Sequence, residues 1–146
     1  MNKVQNYCLR IGNWIALKTY WLTNMTCMKG GIKFYRKVKE MNIFILSENP
    51  QEAATMMLNK HVVKMPTESM QMLSTISNHV GLDSPYKPVM LNHPCTMWAR
   101  LSKDNFQWLI DHCNALCSEY TSRYNRVHKV QTTMEEYHDT FMEVKT

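Results

Sequence analysis

The stretch Lys60-His61-Val62-Val63-Lys64-Met65-Pro66-Thr67-Glu68-Ser69-Met70-Gln71-Met72-Leu73 decides how the rest of the chain is read. On a helix, His61, Lys64, Glu68 and Gln71 fall at offsets of 0, 3, 7 and 10, and at about 100° per residue they share one narrow polar stripe. Val62, Val63, Met65, Met72 and Leu73 occupy the other faces, so the segment can pack on a core while presenting an imidazole, an amine, a carboxylate and an amide together. A solvated helix face with a Glu–Lys pair would show the same pattern. Pro66 lacks an N–H and disfavours the helical conformation at Met65, which predicts either a kink in one helix or a second helix opening at Pro66.

At 146 residues the chain is one domain's worth, long enough to bury a core. Its net charge of +5 is unevenly spread: residues 1–40 hold eight Lys/Arg and one acid, residues 41–146 nine Lys/Arg and eleven acids. The body is therefore slightly acidic, and any nucleic acid it binds must be met by a local basic patch rather than by its global field. Five cysteines without paired spacing, thirteen Met and no secretory signal point to a reducing cytoplasm, with no disulfide framework. No apolar run approaches the roughly 20 residues a membrane-spanning helix needs, so no membrane partner is expected.

Residues 1–40 read differently from the rest. Trp14, Trp21, Ile15, Leu17 and Leu22 keep no clean period, and Lys29–Lys39 is basic with Gly30-Gly31 inside it. At Met41 the composition changes abruptly to Met41-Asn42-Ile43-Phe44-Ile45-Leu46, which predicts a short buried strand near 42–46. The segment 1–40 is either a basic arm or an upstream extension outside the natural product, the second being preferred. Asn49-Pro50 marks a helix start that should run into the organising stretch, and a second helix should follow from Pro66 to about Val80. After the turn-rich 81–88, Asn92-His93-Pro94 opens a short helix, and Ser102 caps a long one to about Tyr124 with Phe106, Leu109, Ile110, Cys113, Cys117 and Tyr120 as its apolar stripe. The domain so drawn spans 41–130, and the acidic tail 131–146 is either a final helix or a frayed end. The fold expected is mainly α.

Cys113 and Cys117 share a helix face but lack a second ligand pair, so buried thiols are expected rather than zinc, and no cofactor is implied. No glycine-rich phosphate loop is present in a strand–helix context. Basic and aromatic residues interleave from Trp98 to Lys129, a pattern that can hold phosphates and stack bases, although core aromatics and a basic helix end explain it equally well.

The run Lys60-His61-x-x-Lys64-x-x-x-Glu68-x-x-Gln71-Met72-Leu73, followed by Asn92-His93-Pro94-x-x-Met97-Trp98 and then Glu119-Tyr120-x-x-Arg123-Tyr124, resembles the motif order of the pyrimidine dimer DNA glycosylase superfamily. It is also similar to small phage proteins with the same short motifs, and the resemblance covers about residues 41–130. It implies an all-helical domain, encoded by a phage and working in the host cytoplasm, that flips a nucleotide from damaged duplex, attacks the sugar C1′ with an amine and cleaves the strand by β-elimination. Lys64, Glu68 and His61 would then carry the chemistry, and Lys60, His93, Trp98, Arg100, Arg123, Arg126 and Lys129 would hold the nucleic acid. This chain departs from the pattern in its start: the family's nucleophile is an N-terminal amine exposed by Met removal, whereas here Met41 precedes the bulky Asn42, leaving the Met41 amine or Lys64 for that role. The competing reading is a non-catalytic helical protein, also of phage origin, that binds nucleic acid or a host protein.

The composition break makes a direct prediction. A chain beginning at Met41 should melt at the same temperature as the full chain, and a large drop in Tm on that truncation would show that residues 1–40 are part of the folded body.

Overall fold

The computed structural model describes residues 41–144, so the expectations for the basic segment 1–40 lie outside the described residues. After an extended opening segment come five helices: α1 (Pro50–Thr55), α2 (Asn59–His79), α3 (Pro94–Ala99), α4 (Lys103–Tyr124) and α5 (Lys129–Met142). The long helices α2 and α4 pack on each other, α5 closes the core from one side, and α1 and α3 lie against α4. Among the described residues there is no sheet, and none of their helices is long and apolar enough to cross a membrane.

The strand expected near 42–46 does not form. A strand needs a second strand to take its backbone hydrogen bonds, and the described chain offers none. The segment is instead held through its side chains: Met41 and Ile43 pack on the main core, and Phe44 packs on a second cluster around Val62, Met65 and Leu116.

The helix starts were well marked. Asn49 Oδ1 accepts from the Gln51 and Glu52 N–H groups with Pro50 in the first turn, and Ser102 Oγ accepts from Asn105 N–H at 3.2 Å. The breaks were not. α1 stops at Thr55 instead of running on, because Leu58 takes an extended conformation and Arg123 of α4 claims the Thr55 and Met57 carbonyls at 2.9 and 2.7 Å. Conversely, α2 runs unbroken through Pro66. The missing N–H at Pro66 costs of the order of 3 kcal/mol in an isolated helix. Here the proline lies inside a 21-residue helix whose buried positions, among them Val62, Met65, Met70, Met72, Leu73 and Ile76, offset that cost by burial in two clusters.

The stretch between α2 and α3 is pinned to α2 by side chains. Gln71 Nε2 donates to the Lys87 carbonyl at 2.8 Å, and the Thr75 hydroxyl both donates to and accepts from the Val89 backbone at 3.1 Å. α4 ends on Asn125 in a left-handed conformation, φ 51°, one that asparagine tolerates better than most residues. The acidic tail proves helical through Met142: α5 buries Val130, Met134 and Phe141 against the core and turns its acids outward.

One core residue is unusual. His112 of α4 is 1% exposed, neither ring nitrogen is hydrogen-bonded, and its ring stacks on Trp108 with centroids 4.6 Å apart. Burial penalises the imidazolium and lowers its pKa from 6.5 to about 4. A histidine with a depressed folded pKa leaves the unfolded state binding more protons, so its destabilising effect is absent above about pH 6.5 and grows as pH falls toward 4. The fold should lose up to about 3 kcal/mol over that window. Urea denaturation at pH 7.5 and pH 4.5 should show this loss, and His112→Phe, which keeps the stacking ring, should reduce it.

Candidate active site

Glu68 is the centre of the polar stripe. It is 4% exposed, yet charged side chains are seldom buried without partners. Its Oε2 accepts the Asn42 backbone N–H at 2.9 Å, and its Oε1 lies 2.6 Å from Lys64 Nζ, one helical turn earlier. The Lys64 contact is an ion pair by distance but is too poorly aligned to count as a hydrogen bond, so Oε1 keeps an unsatisfied lone pair. The two partners differ in burial: the Lys64 side chain is 58% exposed. An ammonium at the solvent boundary thus rests on a carboxylate held from behind by the fold.

Two further elements meet here. The opening segment runs along α2, with Asn42 at Glu68 and Phe44 stacked on His61 at 4.8 Å. The first turn of α3 brings Cys95, whose thiol is pushed up by burial, is lowered somewhat by the Ile43 backbone and feels the Glu68 charge. A thiol with a raised pKa remains protonated at neutral pH, which argues against Cys95 as a nucleophile.

A scan against family profiles matches residues 41–132 to the family described as pyrimidine dimer DNA glycosylase. The chain belongs to that family. No curated protein and no solved structure matches it. The family region begins at residue 41, where the opening segment starts, and takes in α1 to α4 and the turn into α5.

Within this family member, the residues singled out in the sequence fall into three groups. Lys64 and Glu68 are in contact. His61 shares their helix, but seven residues put about 10 Å of rise between it and Glu68, and its ring lies on Phe44. Gln71, the last of the stripe, is spent on the Lys87 carbonyl.

The second group is built into the scaffold. His93 Nδ1 caps α3 by accepting from Cys95 N–H at 3.3 Å, and Trp98 packs edge-on against Trp108. Arg100 donates to Asn92 Oδ1 at 3.4 Å rather than reaching Glu68. Arg123 bonds Glu119 at 2.6 Å, Asn59 Oδ1 at 2.9 Å and the Thr55 and Met57 carbonyls, so most of its donors are already used. The third group is exposed: Lys60 on the first turn of α2, with Arg126 and Lys129 at the corner between α4 and α5. His128 ties that corner to α2 through the Val63 carbonyl at 3.2 Å.

Sequence reasoning missed the Asn42 nitrogen, Phe44 and Cys95. The only signal for the first two was the abrupt apolar start at Met41, which is equally the signature of a strand. Cys113 and Cys117 are buried, and no cluster of three or more His, Cys, Asp or Glu able to hold a metal occurs among the described residues.

Glu68→Ala should orphan the Asn42 N–H and cost on the order of 2 kcal/mol, almost all of it from that part-buried donor, because the Lys64 pair is half in water. Lys64→Ala should cost far less. Chemical denaturation of the two variants checks the order, and equal losses would place the stability in the ion pair instead.

Proposed function

We propose that this family member is a DNA glycosylase with abasic lyase activity whose chemistry centres on Glu68. The observation that carries the reading is the buried Glu68 carboxylate with Lys64 Nζ at 2.6 Å. An amine must be neutral to attack, and a carboxylate at this distance is placed to take its proton. The Lys64 amine then adds to the sugar C1′, the bond from C1′ to the base breaks with its electrons leaving on the base, and the base departs protonated. The nitrogen gives up a proton, the C1′–O4′ bond opens with its electrons passing to O4′, which is protonated, and the resulting imine acidifies the C2′ proton. Its loss expels the 3′ phosphate, and water releases the amine. Glu68 can return its proton to the departing base or the opened sugar oxygen and take another in the elimination.

A second nucleophile is supported by one observation of its own. Asn42 N lies 2.9 Å from Glu68 Oε2. In the full chain this is an amide, whose lone pair is delocalised and inert. Were Met41 removed despite the bulk of Asn42, contrary to the expectation from sequence, the same atom would be an α-amine already hydrogen-bonded to the carboxylate.

Exposed Lys60, Arg126 and Lys129 are proposed as the phosphate contacts, a local patch on an otherwise acidic body. The reading favours a working site inside the cell, where DNA is.

Incubation with abasic or ultraviolet-irradiated duplex and borohydride should trap a covalent protein–DNA adduct, since reduction of a protein–DNA imine leaves a stable amine linkage whereas reduction of the free abasic aldehyde leaves none. Glu68→Gln should cut trapping by at least a hundredfold while retaining the wild-type circular dichroism. Peptide mapping of the adduct distinguishes Lys64 from an α-amine. Binding without any trapping, on either DNA, would leave the non-catalytic alternative standing.

A further inference from the structure

The opening segment lays Phe44 across α2 so that its ring stacks on His61, with centroids 4.8 Å apart and planes inclined by 13°. Phe44 is backed by the second core cluster, yet both rings remain half-buried rather than enclosed. Among the described residues neither His61 ring nitrogen has a hydrogen-bond partner. A histidine retained for proton transfer would be expected to aim a nitrogen at the carboxylate or at a neighbour. This one instead lies flat on Phe44 and is only half-buried.

Its neighbours are suited to the same task. Lys60 precedes it in sequence and Lys64 follows by three residues on the same side of α2, and both are exposed. A supported ring beside an exposed ammonium group is a combination that holds single-stranded nucleic acid: the ring takes the face of a base and Lys60 takes a flanking phosphate, while Lys64 stays with Glu68. We propose that the Phe44–His61 stack is a platform for one unpaired DNA base, next to the Lys64–Glu68 pair. This rests on the glycosylase reading and deepens it by naming what steadies a base while its sugar faces Lys64. His61 is then a binding residue, and its imidazole serves through its ring rather than its proton.

The test uses the full chain and a short single-stranded DNA with one central 2-aminopurine, whose fluorescence falls when it stacks. Wild type should quench the probe. His61→Ala should abolish the quenching and weaken binding roughly tenfold, the size of one lost base–aromatic stack. His61→Phe, which keeps a ring and removes both nitrogens, should restore both. Should His61→Ala melt below the assay temperature, His61→Leu, which fills the volume without an aromatic face, replaces it. Wild-type quenching that survives in the Ala or Leu variant, absence of quenching in wild type, or failure of His61→Phe to restore it would each overturn the platform. Borohydride trapping with the same proteins separates the two readings: trapping without quenching removes the platform alone, and quenching without trapping removes the lyase alone.

Discussion

A carboxylate taken out of water must be satisfied by the fold around it, and Glu68 imposes that constraint on the structure. Lys64 cannot meet it alone, because its side chain is 58% exposed and its approach to Oε1 is misaligned. The remaining demand falls on a backbone N–H, and the Asn42 amide supplies it. A sequence that reads as a strand is thereby recruited as an arm along α2. Once Asn42 is fixed, residue alternation places Met41 and Ile43 on the main core and sends Phe44 toward the second cluster, against His61. One buried charge therefore sets the path of the opening segment, and with it the surroundings of the candidate site.

The architecture was legible where local chemistry dominates. Asn49 before Pro50, Ser102 before the long helix, and the apolar stripe from Phe106 to Cys117 each specify a helix without reference to distant residues. Pro66 left one helix or two open from sequence, and one forms because its cost is local while the burial that offsets it is not. The stop at Thr55 was invisible for the converse reason: the group that takes its carbonyl is Arg123, distant in sequence. The opening segment does not form a strand because a strand is a property of two segments, and no second described segment pairs with it.

The same distinction runs through the site. Spacing alone put Lys64 and Glu68 on one helix face, and i to i+4 geometry brings them together regardless of tertiary context. Spacing could not say which cations are free. Arg123 and Arg126 look alike in sequence, yet one is consumed in joining α1, α2 and α4 while the other is exposed at a corner. An arginine with several bonds to main-chain carbonyls has exchanged its phosphate affinity for stability, since its donors point inward. Counting charges along the chain overstates the number of free cations for this reason.

The unequal burial of Lys64 and Glu68 bears on chemistry as well as on stability. Were both groups buried, the amine could not meet a sugar without opening the fold; were both exposed, water would screen the carboxylate and the proton transfer would gain little from proximity. On the proposed reading, with the carboxylate inside and the amine at the boundary, the core would fix the proton acceptor while the attacking atom stays within reach of a substrate. The unsatisfied lone pair on Oε1 completes the arrangement. It is a buried acceptor beside a half-solvated cation, and the ion pair at 2.6 Å is what meets its charge.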